Sequence, residues 1–290
     1  LQMTGNSLYA DYMETAIYNA LMASLKADAS QIAKYSPLEG WRHEGEEQCG
    51  MHINCCNANG PRAFAMIPQF AYQVQDDCVR VNFYAPSEAE LVLPGKKPVR
   101  LKQTTDYPRT DQIEIEVDPA KETTFTIALR IPAWSKIAVV SVNGQPQDGV
   151  LQGAYLPVNR KWKKGDRITV KLDLRARLVE RNQAQAIVRG PVVLARDSRF
   201  GDGFVDEASV VVSKDGYVEL TPVKTPGFAW LAFTAPMVLG TDLESNRAPK
   251  QIHFCDFASA GNTWDKTQRY RVWLPKTLNV MHSPYRPYNQ

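Results

Sequence analysis

Hydrophobic positions change their spacing near residue 79, and the change divides the chain. Before it, Tyr9, Tyr12, Met13, Ala16, Ile17 and Ala20 recur at three- and four-residue intervals. That is the period of an amphipathic helix, and Gly5-Asn6-Ser7 ahead of it supplies a turn and an N-cap. A loop with Pro37 and Gly40 follows, rich in Arg, His and Glu up to Glu47. A second stripe, Ala63, Phe64, Ile67, Phe70, Ala71 and Val74, predicts a second helix. Its start is placed at Pro61, because Asn59-Gly60 gives a turn and proline suits the first helical position. Pro68 inside the stripe predicts a kink. Two such helices cannot bury a core alone, so they read as the tail of a larger helical domain, with Leu1 in its interior.

From Val79 onward the apolar positions fall in short alternating runs at 79–84, 89–93, 112–117, 123–130, 137–142, 167–174 and 185–196. Asn143-Gly144 is a hairpin-type turn and Lys164-Gly165-Asp166 a second turn signal. Many short strands with regular turns predict an antiparallel β-sandwich. A looser segment at 198–208 reads as a linker or loop. Further strand-like runs stand at 217–222, 228–233, 250–255 and 268–274, and His282–Gln290 reads as an extended tail. The expected organisation is 1–78 as the end of a helical domain, 79–200 as a β-sandwich, and 201–290 as a second sandwich or the completion of the first.

Composition narrows the partners. A hydrophobic fraction of 44% with 22% charged residues is that of an ordinary soluble globular chain. A net charge of +3 over 290 residues gives no reason to propose nucleic acid or an anionic membrane as partner. Five cysteines, an odd and clustered set, do not make a disulfide framework.

The clustering itself points to chemistry. Cys49-Gly-Met-His-Ile-Asn-Cys55-Cys56-Asn-Ala-Asn-Gly-Pro-Arg62 places two adjacent cysteines a few residues before the expected helix start. Unpaired N–H groups at a helix N-terminus favour a thiolate, and thiolates bind zinc at neutral pH. The alternative is a pair of buried cysteines packing as small hydrophobes. Cys49 is a possible third ligand, with His52 or His43 as a fourth. Glu44, Glu46 and Glu47 offer carboxylates, and Arg42 and Arg62 offer cations for an anionic or hydroxyl-rich substrate; solvated loop roles are the alternative for each. The six tryptophans are read mainly as sandwich core. Nucleotide, serine-hydrolase and zincin motifs do not occur.

Several stretches, in order along nearly the whole chain, resemble glycoside hydrolase family 127, the β-L-arabinofuranosidase-like group. They are Thr4 to Asp11 with Glu14 and Tyr18-Asn19; Pro37-Leu38-Glu39; Cys55-Cys56; Val81-Asn82-Phe83-Tyr84; Gln103-Thr104 with Tyr107-Pro108; Leu129 to Trp134; Val142-Asn143-Gly144; Arg160-Lys161-Trp162; Gly165-Asp166; and Arg189-Gly190-Pro191. The resemblance implies the end of an (α/α)6 barrel followed by β-sandwich domains. It also implies a retaining, exo-acting glycosidase in which Cys55 is the nucleophile. A Zn2+ would be held by Cys55, Cys56 and further Glu and Cys ligands expected upstream of Leu1, where the general acid glutamate is also expected. On this reading the chain alone is inactive, and the N-terminal remainder of the barrel is its partner. Tyr35, Glu39, His43, His52 and Arg62 are the candidate substrate contacts.

Three features depart from the family pattern around the sugar pocket. Asn57-Ala58 stand where members have two prolines, Met51-His52-Ile53 approaches the pair, and Lys34 takes the place of a tyrosine, with Tyr35 next to it. They bring in a second substrate, an acidic pectic sugar of the aceric acid type, which Arg42, His43, His52 and Arg62 would suit. The expected partner is an oligosaccharide or a polysaccharide side chain, and the resemblance implies a periplasmic or secreted bacterial enzyme. A non-catalytic carbohydrate-binding β-sandwich with a structural zinc, and an inactive relative serving in an assembly, are the competing functions.

Overall fold

The computed structural model of the protein describes residues 1–44, 55–240 and 248–277. Among these residues the chain is mostly β-sheet, with two α-helices, α1 (Ser7–Ala16) and α2 (Cys55–Ala71). It divides into two units, Leu1–Leu21 with His52–Leu174 and Met22–Met51 with Arg175–Gln290.

The first unit holds two sheets. One has four strands in the order Ala154–Trp162, Thr123–Ile131, Cys78–Val81, Tyr72–Gln75; the other has six, in the order Ser87–Leu93, Lys97–Thr105, Gln112–Pro119, Asp166–Leu172, Ala138–Val142, Gln145–Pro146. All pairings are antiparallel except that of Cys78–Val81 with Thr123–Ile131. Alternation drives the arrangement, since successive strand residues face opposite sides. Phe125, Ile127, Leu129 and Ile131 from one sheet enter a single core with Leu101, Ile113, Ile115, Ile168 and Val170 from the other. Trp162 fills this core and donates its indole N–H to the Phe125 carbonyl at 3.0 Å. The Asn143-Gly144 turn joins Ala138–Val142 to Gln145–Pro146 with both φ angles positive, 51° and 80°. Such a two-residue hairpin favours Asn-Gly for that reason. Asn143 then ties the turn to the neighbouring loop, donating to Asp166 at 2.9 Å.

The helices depart from expectation in instructive ways. Asn6 caps α1 as expected, accepting from the Leu8 N–H at 2.9 Å. The buried face is not the apolar stripe, however: α1 buries Ser7, Ala10, Asp11 and Glu14, while Tyr9 and Tyr12 are exposed. Polar groups face inward because a buried arginine waits for them on the sheet. α2 begins at Cys55, not Pro61, so the cysteine pair lies in the helix's first turn. Pro61 is an interior residue and forfeits the bond to the carbonyl of Asn57, an exposed position where water can serve that oxygen. The helix continues through Pro68 to Ala71, and Val74 belongs to the strand Tyr72–Gln75 instead of the helical stripe.

Among the described residues the second unit is one antiparallel sheet of eleven strands, whose main path runs Ser209–Val211, Ala232–Leu239, Lys250–Asp256, Val192–Asp197, Ala184–Arg189, Ala176–Arg181, Tyr217–Val218. The run at 185–196 is therefore two strands, broken at Gly190-Pro191. Ala195, Cys255, Phe257, Tyr270 and Val272 pack as its core. The two-residue strand Glu39–Gly40 joins the sheet by pairing with Tyr270–Arg271.

Candidate functional site

The cysteine pair sits at the start of a helix whose opposite end is fastened. At the C-terminus of α2, carbonyls lack intrahelical partners. Asn82 supplies them, its side-chain amide donating to the Phe70 carbonyl at 2.9 Å and its backbone N–H to the Ala71 carbonyl at 2.9 Å. The Asn82 carbonyl in turn accepts from Nε of Arg130. Arg130 is fully buried and binds both carboxylates of α1, Asp11 through Nη1 and Glu14 through Nη2, the latter at 2.7 Å. Glu14 also accepts from the Tyr107 hydroxyl at 2.8 Å and the Trp134 indole at 3.4 Å, and Asp11 from the Ala133 N–H at 2.9 Å. A continuous set of bonds thus runs from α1 through Arg130 and Asn82 to the end of α2.

The electrostatics of this cluster follow from its burial. Burial draws the Arg130 pKa down, but Glu14, Tyr107 and Asp11 outweigh it and leave the guanidinium held above its ordinary value. Burial, and then the Glu14 charge, push the Tyr107 phenol far up, and burial does the same to Tyr84. The motifs Asp11, Glu14, Asn82, Tyr107 and Leu129 to Trp134 therefore meet at one ionic cluster. Spacing alone did not signal that meeting; the available signal was one arginine inside the apolar run Ile127–Ile131.

Along α2 the exposed residues Cys55, Asn59 and Arg62 fall four and three positions apart, on one helix face. Arg62 donates to the Asn59 side-chain carbonyl. Cys56 begins a second, half-buried stripe that continues through Gly60, Ala63, Phe64, Ile67 and Phe70. Cys49 and His52 lie outside the described residues, as do Glu46 and Glu47. Among the described residues no three His, Cys, Asp or Glu groups converge on one point. Cys55 and Cys56 are the right kind of donor for zinc, two thiols of the four ligands a tetrahedral site takes.

Tyr35, Glu39 and His43 belong to the second unit. Tyr35 is exposed. Glu39 pairs with Arg271 at 2.8 Å, and the His43 ring stands 6.3 Å from that of Trp41. Arg42 is a correction to the sequence reading, because it is wholly buried and unavailable to a substrate carboxylate. Its guanidinium bonds the backbone carbonyls of Ala23 and Ala258, each at 2.8 Å, and that of Phe257, and it lies over the Phe257 and Tyr270 rings. Of the remaining cysteines, Cys255 is fully buried in the second unit's core, and burial pushes its thiol well above the ordinary value. It is a packing residue, as a buried cysteine usually is.

Comparison with known proteins places this geometry. The model of the GH127 β-L-arabinofuranosidase catalytic domain matches residues 1–69, and that of the GH127 β-L-arabinofuranosidase middle domain matches residues 78–174. A non-reducing end β-L-arabinofuranosidase of Bifidobacterium longum is 27% identical over 212 residues, covering 64% of this chain and 31% of the relative. Among solved structures, a GH127 β-L-arabinofuranosidase from Geobacillus stearothermophilus superposes with a TM-score of 0.77 at 22% identity, over 94% of this chain and 47% of that one. A second GH127 β-arabinofuranosidase gives 0.78 at 23%, over 94% and 46%. The chain spans about half the length of these solved structures and about a third of the curated relative. Two models of one family, end to end across α1, α2 and the two sheets of the first unit, show that the chain belongs to glycoside hydrolase family 127.

Proposed function

We propose that this chain forms part of a glycoside hydrolase that releases β-L-arabinofuranose from plant-polysaccharide side chains by a retaining mechanism with Cys55 as nucleophile. The observation that carries the reading is the placement of Cys55. It is exposed at the first turn of α2, within the segment matched to the β-L-arabinofuranosidase catalytic domain. In the first displacement Cys55 Sγ attacks the anomeric carbon, the glycosidic C–O bond breaks, and the leaving oxygen takes a proton from a carboxylic acid. In the second, water gives a proton back to that carboxylate and attacks the same carbon, the C–S bond breaks, and sulfur departs as thiolate. Two inversions retain configuration, with sulfur in the place of the usual carboxylate. Zinc, when bound by Cys55, Cys56 and ligands from elsewhere, would keep the thiols deprotonated and make sulfur a better leaving group.

The chain's own residues orient the sugar. Asn59 and Arg62, on the face of α2 that carries Cys55, offer an amide and a guanidinium to ring hydroxyls. The burial of Arg42 removes one cation from the set that suited an acidic sugar, which favours the neutral arabinofuranose. The β-sheets of the first unit act as a β-sandwich that anchors the helices and does no chemistry itself. The test is hydrolysis of an aryl β-L-arabinofuranoside by the protein at the length of its relatives, beside its Cys55→Ser variant. Turnover that vanishes in the variant, while its melting temperature holds, supports the reading. Equal turnover in both defeats it.

A further inference from the structure

The second unit carries a cleft lined by its own residues. We infer that this cleft, beside the exposed ring of Phe204, is a carbohydrate-binding subsite for one neutral sugar ring of a side chain, a role that rests on the polysaccharide reading above. Its volume is about 380 Å³, and Ser198, Phe204, Asp206, Thr267 and Arg269 line it. That size falls within the range of small-molecule sites.

Two features make the cleft a built one. Phe204 is 84% exposed, a costly position for a phenyl ring, yet its backbone is fixed. Its carbonyl accepts from Arg196 Nη1 at 2.9 Å and from the Glu207 N–H at 3.2 Å, and Arg196 is fully buried. Gly203 precedes it at a φ of 118°, which a side chain would strain. The ring is thus held out toward water by a rigid loop. Beside it, Asp206 is oriented through both oxygens. Oδ2 accepts from Arg269 at 3.0 and 3.1 Å, and Oδ1 from Arg271 at 2.7 Å. The Asp206 and Arg269 side chains remain 28% and 29% exposed.

A flat apolar ring beside a fixed carboxylate–guanidinium pair and two hydroxyl side chains matches the two surfaces of a sugar. The C–H face packs on the phenyl ring, and the hydroxyls bond the carboxylate and guanidinium edges. Arg269 and Arg271 together balance the two carboxylates of Asp206 and Glu39, so the cleft favours an uncharged ring. Arg271 also holds Glu39 at 2.8 Å, so this residue of the Pro37-Leu38-Glu39 run serves the same network.

The test is calorimetric titration of the Cys55→Ser protein with a short neutral arabinofuranosyl oligosaccharide, repeated with Phe204→Ala and Phe204→Tyr added. Saturable binding, weakened about tenfold by Phe204→Ala and kept by Phe204→Tyr, is the expected result. The Phe204 ring is exposed, so melting temperature should not move in either variant and loss of fold is separable from loss of binding. Three outcomes overturn the inference: no saturable binding, binding indifferent to Phe204→Ala, or a change in self-association by sedimentation with sugar binding unaltered. Because the nucleophile is absent throughout, binding without hydrolysis in the parent defeats only the proposed function. Hydrolysis without this binding defeats only the subsite.

Discussion

Replacing Arg130 by methionine should cost the first unit about 3–5 kcal/mol, the usual penalty for removing one partner of a buried ion pair. The structure says why the upper part of that range is reasonable. Methionine keeps most of the stem but removes the groups that bind Asp11, Glu14 and the Asn82 carbonyl. Asp11 and Glu14 are 6% and 2% exposed, so their charges cannot turn to water. Asp11 would keep the Ala133 N–H and Glu14 the Tyr107 hydroxyl and the Trp134 indole. Neutral donors of that kind contribute about 0.5–1.5 kcal/mol each net, or up to about 3 kcal/mol to a charge, and that softens the loss without cancelling it. The assay is urea unfolding at neutral pH, with hydrogen exchange of the strand Thr123–Ile131 assigning the loss to this unit. The deficit should shrink on acidification, because a protonated carboxyl strands no charge. A triple variant, Arg130→Met with Asp11→Asn and Glu14→Gln, should regain part of the loss for the same reason. A deficit under about 1 kcal/mol, or a triple variant no better than the single one, would refute the reasoning.

Gly261→Ala should destabilise the second unit by more than about 2 kcal/mol, read by thermal melting. A Cβ there would meet the Tyr270 ring at 2.5 Å, and the residue's φ of 61° already disfavours side chains. Stability should fall steeply above pH ~10. Tyr107 and Tyr84 ionise less readily folded than unfolded, so their contribution is intact below the unfolded pKa and is lost as pH rises through the folded one. Phenolate absorbance from these two should appear together with loss of circular dichroism; a smooth rise with the fold intact counts against it. Asn82→Ala should cost about 1–3 kcal/mol, through the uncapped Phe70 carbonyl at the end of α2 and the lost acceptor of the Tyr155 hydroxyl, and change the alkylation rate of Cys55, read by mass spectrometry of the modified peptide.

What the sequence made legible was whatever local chemistry decides. The Asn6 cap and the Asn143-Gly144 hairpin are set by residues within a few positions of one another, and the structure has both. Lys97–Thr105 was harder to see, because its outward positions Arg100, Lys102 and Thr104 and the inward Gln103 leave Val99 and Leu101 as the main apolar marks. The faces of α1 and the start of α2 were misread because tertiary partners outvote periodicity. An apolar stripe predicts a buried face only when the surface it meets is apolar, and α1 meets Arg130. Likewise Asn59-Gly60-Pro61 is a turn signal by propensity, but the helix begins six residues before Pro61. Arg42 was legible as a cation and not as a buried one, since all its partners but the Ala23 carbonyl, namely Phe257, Ala258 and Tyr270, are more than 200 positions away.

The stretches that identify the family include Asp11, Glu14, Asn82, Tyr107, Arg130 and Trp134, and none of these needs to touch a sugar to explain its identity. Each is spoken for by the buried cluster that joins α1, the sheet and α2. A chain could keep all of them and change substrate, because substrate choice falls to residues this cluster does not employ. The cysteine pair is different. Cys55 is exposed, as are its neighbours in α2, Asn57, Ala58 and Asn59. An exposed cysteine at the head of a helix fastened from its far end is better explained by chemistry than by stability. Cys55→Ser should therefore be nearly silent in unfolding and decisive in turnover, whereas Arg130→Met should be the reverse until the fold gives way.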